Sequence, residues 1–295
     1  MNAVLFAMPG NEEFARGLVR STGADSGLIA FRRFPDSESY LRFDTAVEGR
    51  SIILVSTLNA PDEKTLPLLF AAQAARELGA ARVGLVAPYL AYMRQDKRFQ
   101  PGEAITSQSY AKILSTALDW IVTVDPHLHR RASMAEIYSI PVAVCHAAPK
   151  LADWIKENIP NALVIGPDAE SEQWAAAIAS SANVPHVVLS KTRLGDRSVK
   201  IDFPNLEPWR GKIPVLVDDI ISSGRTMEAA VKQLRELDFA PPLCLGVHGL
   251  FAEDAYERLI VAGAARIVST NTISHHSNGI DLSNMVAGAI EPFLR

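Results

Sequence analysis

Short apolar runs alternate with amphipathic stretches along the whole chain, and that alternation predicts an α/β fold built on mainly parallel sheets flanked by helices. Two further observations support it. The apolar runs are continuous and rich in Val, Ile and Leu, as strands buried on both faces are. Each polar motif follows such a run directly, and ligands of open α/β sheets sit at the carboxyl ends of strands. The pattern closes at Val142–Cys145 and restarts at Ala148, which predicts two domains, 1–147 and 148–281. A final helical segment, 282–295, is expected to pack back on the first domain. Each half reads as one open sheet, as a diverged duplication would.

Val4–Ala7 is the first predicted strand, followed by a Pro9-Gly10-Asn11 turn and a helix over Glu12–Arg20. Leu28–Phe31 and Ser39–Phe43 are strands around the polar loop Arg33–Glu38. Ser51–Val55 is strand, Glu63–Leu78 helix and Arg82–Ala87 strand. A loop with Arg94-Gln95-Asp96-Lys97-Arg98 leads to a helix over Ile105–Leu118 and a strand over Ile121–Val124, ending in Asp125-Pro126-His127-Leu128-His129. In the second half Ala148–Asn158 is helix and Ala162–Ile165 strand. Gly166-Pro167-Asp168 precedes a helix through Trp174 to Ala179, and His186–Leu189 is strand. Ser190–Lys200 has no apolar periodicity and reads as a mobile polar loop. A strand from Ile213, a helix with Met227, Ala230, Val231, Leu234 and Leu237 on one face, then Leu243–Val247, Glu253–Val261 and Arg266–Ser269 continue the alternation.

Of 295 residues, 48% are hydrophobic and 21% charged, enough apolar material for a large core and too little charge for a disordered chain. The net charge of −4 gives no general basic field for nucleic acid. Cys145 and Cys244 lie in apolar segments and read as reduced core residues. The opening Ala3–Ala7 run lacks a basic lead and is too short for a signal or a membrane span, so the expectation is a cytoplasmic protein with no membrane partner.

The chemistry concentrates at Ile213–Met227. An apolar strand ends in Asp218-Asp219, and Ser222-Ser223-Gly224-Arg225-Thr226 forms a small hydroxylated turn before a helix. Such a turn offers backbone N–H groups and a helix N-terminus to an anion. Adjacent carboxylates would repel a phosphate unless they bind sugar hydroxyls or a shared Mg2+. A phosphorylated sugar with free hydroxyls satisfies both; alternatively, Ser222 or Ser223 simply caps the helix. Arg94, Gln95 and Asp96 are either a polyphosphate clamp or a solvated, salt-bridged loop. His127 is a metal ligand, a donor to phosphate or a structural histidine, and Asp168 a Mg2+ carboxylate, an N-cap or both. Lys191 and Arg193 either close over a phosphoryl group or belong to a plain basic loop. Phe34 and Asp36 suit a purine pocket, by stacking and by accepting from an amino group; otherwise they form a turn.

Taken in order, these pieces resemble the ribose-phosphate pyrophosphokinases. Phe34-Pro35-Asp36-Ser37-Glu38 is similar to that family's adenine-contacting loop, Tyr92-Met93-Arg94-Gln95-Asp96 to its ATP motif and Val124-Asp125-Pro126-His127 to the element whose His meets Mg-ATP. Gly166-Pro167-Asp168, Lys191-x-Arg193 and Ser269-Thr270-Asn271-Thr272-Ile273 also have counterparts there. The resemblance implies two tandem type I phosphoribosyltransferase-type domains, ATP and ribose 5-phosphate as substrates, Mg2+ as cofactor and a homo-oligomer. It assigns ATP to Phe34, Asp36, Glu38, Arg94, Gln95 and Asp96, metal to His127 and Asp168, and catalysis to Lys191 and Arg193. Ribose 5-phosphate falls to Asp218, Asp219, Ser222, Ser223, Gly224, Arg225 and Thr226. Two departures stand out: Ser-Ser-Gly-Arg-Thr replaces the usual Asp-Thr-Ala-Gly-Thr, and Ala169-Glu170-Ser171-Glu172 replaces a Gly-Gly pair. A phosphoribosyltransferase and a silent regulatory homologue are the alternatives.

Overall fold

The computed structural model describes residues 2–168, 171–193, 199–202 and 204–294, with backbone only for 191–193 and 199–202. The chain forms two compact units. One holds residues up to Cys145 together with Thr272–Ser274 and Leu282–Arg295, the other His146–Asn271 and His275–Asp281.

The first unit contains β1 (Ala3–Ala7), α1 (Glu12–Thr22), β2 (Asp25–Gly27), β3 (Ile29–Arg33), β4 (Ser39–Phe43), β5 (Ser51–Val55), α2 (Pro61–Glu77), β6 (Arg82–Ala87), α3 (Thr106–Ala117), β7 (Trp120–Val124) and β8 (Val142–Cys145). Its main sheet is fully parallel, in the order β2-β1-β5-β6-β7-β8. Ile52–Val55 and Trp120–Val124 are buried throughout, which is why they read as continuous apolar runs. Gly84 of β6 makes room for Trp120: a Cβ there would lie 1.9 Å from the indole. Trp120 in turn stacks on Phe293, with ring centroids 4.8 Å apart. β3 and β4 form a separate antiparallel hairpin. The helix α8 (Ser283–Ile290) belongs to this unit and packs on α1, where Gly17 lets Ser283 approach closely.

The second unit repeats the plan with α4 (Ala148–Asn158), β9 (Ala162–Gly166), α5 (Glu172–Ala182), β10 (His186–Val188), β11 (Ser190–Arg193), β12 (Val199–Asp202), β13 (Ile213–Ile221), α6 (Arg225–Glu236), β14 (Leu243–Gly249), α7 (Ala255–Val261), β15 (Arg266–Thr270) and β16 (Asn278–Ile280). The strand order β10-β9-β13-β14-β15-β16 is the first sheet's order, strand for strand. The registers agree as well: Ala3 pairs with Ser51 as Ala162 pairs with Ile213. The two halves are thus copies of one topology.

One expectation is corrected. Ser190–Lys200 is not a loop throughout, because β11 and β12 pair antiparallel, Arg193 opposite Val199. A two-stranded ribbon outside the main sheet has no face that must be buried, so it carries no apolar period. The short edge strands β2 and β16, of three residues each, escaped the sequence reading for the same reason.

Candidate active site

The acidic turn lies at the carboxyl end of β13, a central strand of the second unit. Asp218 and Asp219 are half-buried, and the Asp219 N–H donates to Asp218 Oδ1 at 3.0 Å. Burial raises the Asp218 pKa well above the ordinary carboxylate range, and the neighbouring Asp219 and Asp168 push it further. Gly224 enters α6 at the N-cap position with φ +65°, the left-handed region where a Cβ is costly, and has no side chain of its own to cap with. The turn is sewn to its neighbours through its carbonyls. Phe251 N–H donates to Ile221 O at 2.9 Å, Ala252 N–H to Ser222 O at 3.1 Å, and Arg258 Nη2 to Ser223 O at 2.6 Å. Arg258 is fixed by Asp254 and, at 3.2 Å, by Glu228. Gly246 of β14, opposite Asp218, leaves space for Ile221, since a Cβ would meet that side chain at 2.7 Å. These bonds engage the turn's carbonyls, and the helix start at Gly224 is the kind of N-terminus whose first N–H groups can bind an anion.

Ser171, not Asp168, stands at the N-cap position of α5, and Gly224, not Ser222 or Ser223, at that of α6. Ser171 precedes α5 and folds onto Asp168, with Ser171 Oγ donating to Asp168 O at 2.5 Å and accepting from Asp168 N–H at 3.3 Å. Gly166 gives Ser171 this room, as a Cβ would lie 2.6 Å from its hydroxyl. Asp168 raises the Asp218 pKa by its charge, so the two strand ends act on one site. Lys191 and Arg193 lie on β11 in backbone; their side chains are outside the described residues, as is all of 194–198.

In the first unit Phe34, Asp36 and Glu38 form the tip between β3 and β4. The Glu38 N–H donates to Asp36 Oδ1 at 3.3 Å, and Phe34 N–H to Glu38 O at 2.8 Å. Phe34 is 39% exposed, and the Arg32 guanidinium lies 4.4 Å from its ring centre in a cation–π contact. Arg94 is exposed and Gln95 half-buried; Gln95 O accepts from Ser107 N–H at 3.3 Å at the start of α3. Asp96 is buried. It accepts from Arg130 Nη1 at 3.2 and 3.3 Å, while its carbonyl accepts from Arg131 Nη2 at 3.0 Å. Sequence reasoning missed Arg130 and Arg131; a basic pair just after the Asp-Pro-His element was the available signal. Asp125 and His127 hold left-handed backbone, φ +32° and +54°, a strain of about 1–3 kcal/mol each. The His127 and His129 rings lie 4.0 Å apart.

Within the second unit Asp168, Asp218 and Asp219 are carboxylates, oxygen donors of the kind Mg2+ prefers, and the upward shift at Asp218 comes first from burial and then from the charges of the other two; in chemistry they suit the ion. The late Thr270-Asn271 pair has a structural part. Thr270 Oγ1 donates to Val247 O at 2.7 Å and Asn271 Nδ2 to Asp281 Oδ1 at 2.7 Å.

Comparison with known proteins bears on this geometry. A family model described as the N-terminal domain of ribose phosphate pyrophosphokinase matches residues 3–117, and a phosphoribosyl transferase domain model matches 133–283. A ribose-phosphate pyrophosphokinase of Methanopyrus kandleri is 30% identical over 290 residues, covering 98% of each chain. The chain belongs to the ribose-phosphate pyrophosphokinase family. A Saccharolobus solfataricus member is 34% identical over 262 residues, 86% of this chain and 88% of its own. The crystal structure of phosphoribosylpyrophosphate synthetase from Mycobacterium smegmatis is similar over 99% of both chains, with a TM-score of 0.86 and 27% identity. Sheet architecture and family therefore agree with the resemblance read from the motifs.

Proposed function

We propose that this pyrophosphokinase-family chain transfers the β,γ-diphosphoryl group of ATP to the C1 hydroxyl of ribose 5-phosphate, releasing AMP and 5-phosphoribosyl 1-diphosphate. The acidic turn carries the reading: carboxylates for sugar hydroxyls stand directly before a turn that offers N–H groups to a phosphate. Ser222, Ser223, Gly224, Arg225 and Thr226 cradle the 5-phosphate, and Asp218 and Asp219 orient the ribose. Phe34, Asp36 and Glu38 take the adenine, and Arg94 and Gln95 the nucleotide phosphates. Asp96 holds Arg130, which adds a cation to that clamp. His127 and Asp168 would each offer a ligand to Mg2+, which would supply charge neutralisation for the phosphates. Lys191 and Arg193 stabilise the charge that builds on the transferring group. The barrier is one of aligning two anions, so positioning supplies most of the acceleration. No helix among the described residues is long and apolar enough to cross a membrane. Cytoplasmic location and a homo-oligomer complete the proposal.

A mixture of purified chain, ATP, Mg2+ and ribose 5-phosphate should yield AMP and the pyrophosphorylated sugar in equal amounts. Incubation of the chain with that sugar and a panel of nucleobases should release no pyrophosphate. Base-dependent pyrophosphate release without AMP formation would replace the assignment by a phosphoribosyltransferase. Neither reaction at any Mg2+ concentration would leave a silent homologue.

A further inference from the structure

Three consecutive carbonyls of the acidic turn are engaged by one short segment of the second unit, which runs from the end of β14 into α7. Ile221 O accepts from Phe251 N–H, Ser222 O from Ala252 N–H and Ser223 O from the Arg258 guanidinium. The segment's own backbone is constrained, since Phe251 and Glu253 hold left-handed φ, +42° and +59°. The Phe251 ring lies 4.5 Å from that of His275 and 5.4 Å from that of Tyr256. A trans peptide carries its C=O and its N–H on opposite sides, so a fixed carbonyl fixes the N–H that follows it. The three bonds therefore orient the N–H groups of Ser222, Ser223 and Gly224, the donors that begin the 5-phosphate cradle.

The third bond is made by a side chain, at the peptide that most needs one. Gly224 admits positive and negative φ alike, so the Ser223–Gly224 peptide can turn over at little steric cost. Arg258 opposes that turnover from a fixed base. Its Nη1 binds Asp254, the residue before α7, and its Nε donates to Glu228 Oε2 on α6 at 3.2 Å. The planar fork thus ties α7, the first turn of α6 and Ser223 O, which it meets at 2.6 Å. Two carboxylates balance its charge, so it acts by direction rather than as a cation offered to an anion. The start of α7 also packs on the glycine: a Cβ on Gly224 would meet Ala255 and Leu259 at 3.6 Å.

We propose that Arg258 is a positioning residue for sugar-phosphate recognition: it holds the Ser223–Gly224 peptide in the orientation that gives the Gly224 N–H to the 5-phosphate. The inference rests on the acidic turn being the ribose 5-phosphate site.

Steady-state AMP formation by the full chain tests it. Arg258→Met should raise KM for ribose 5-phosphate at least about tenfold, while kcat and KM for ATP stay within about threefold. Arg258→Lys keeps the charge and loses the planar fork, so its KM for ribose 5-phosphate should still rise at least about threefold; it reads the same effect if Arg258→Met does not fold. The Arg258 side chain is 26% exposed, so a small cation can enter the space it leaves. Methylguanidinium should lower the raised KM of Arg258→Met at least about threefold, and methylammonium at the same concentration should not. An unchanged KM in both variants, equal rises for the two substrates or equal rescue by the two cations would overturn the proposal. Calorimetric titration with ribose 5-phosphate alone should show the same loss of affinity in the variants. A wild type that binds the sugar phosphate without forming AMP would end the diphosphoryl-transfer reading and leave the variants to decide Arg258. A wild type that binds no ribose 5-phosphate would end both.

Discussion

The two units share strand order, register and a detached hairpin, yet differ where their central strands end. After β5 comes Ser56-Thr57-Leu58-Asn59-Ala60, and after Val217 of β13 come two carboxylates and a hydroxylated turn. In the first unit the turn is closed inward. Thr57 N–H donates to Asn11 Oδ1 at 2.7 Å, Thr57 Oγ1 to Thr272 O at 2.6 Å, and Lys64 holds Thr57 O and Asn59. In the second unit Arg258 and the loop after β14 hold the turn's carbonyls from behind. One scaffold thus carries a carboxylate-free, inward-bonded turn in one copy and an acidic, hydroxylated turn in the other. The strain moves as well: the first unit has left-handed Asp125 and His127 after β7, whereas the residues after β15 keep ordinary φ. The scaffold fixes where ligands go, and a few residues after each strand decide which ligand.

The sharpest break between the copies is at the hairpin bases. Lys191→Ala should lower the rate of AMP formation about 10²–10³-fold while ATP still binds, as removal of a transition-state donor does. The equivalent first-unit position, Phe31, has no such role, so Phe31→Leu should retain turnover within about threefold.

The next contrast is Asp218 against Ser56. A carboxyl whose folded pKa is raised binds its proton more tightly in the folded than in the unfolded chain. Stability without metal should therefore fall as pH climbs from about 4 through the raised folded value. Asp218→Asn should remove that slope and raise stability at pH 7 by about 1–3 kcal/mol while abolishing AMP formation. Urea unfolding across pH 4–8 checks the first half, and a Mg2+ titration of the wild type should recover part of the lost stability.

The smallest contrast is in the helix entries. Gly224→Ala should cost about 1–2 kcal/mol because the left-handed conformation crowds a Cβ, whereas Ala60→Gly should gain less than about 1 kcal/mol. Denaturant midpoints compare them. Equal changes of one sign would show that the two turns do not share a geometry.

Much of this was legible in the chain. Buried central strands such as Ile52–Val55 and Val215–Val217 announce themselves as apolar runs, and the acidic turn is local in sequence. The ribbon of β11 and β12 was not legible, because neither arm buries a periodic face. Arg130 was missed because its partner Asp96 lies 34 residues earlier, and only the fold brings the two within 3.2 Å. Asp168 read as an N-cap because Asp before a helix commonly is one; Ser171 precedes α5 instead, through a turn that Gly166 makes possible.

The central claim is that the pentose sits on the second unit's turn and not on its first-unit counterpart. Steady-state AMP release at saturating ATP and Mg2+, with ribose 5-phosphate varied, measures this most directly. Release should depend on ribose 5-phosphate in the wild type. Asp219→Asn combined with Thr226→Val should cut kcat/KM for ribose 5-phosphate at least about 10²-fold, while Lys64→Met leaves it within about threefold. Wild-type kinetics in the second-unit variant, or a collapse confined to Lys64→Met, would contradict the account.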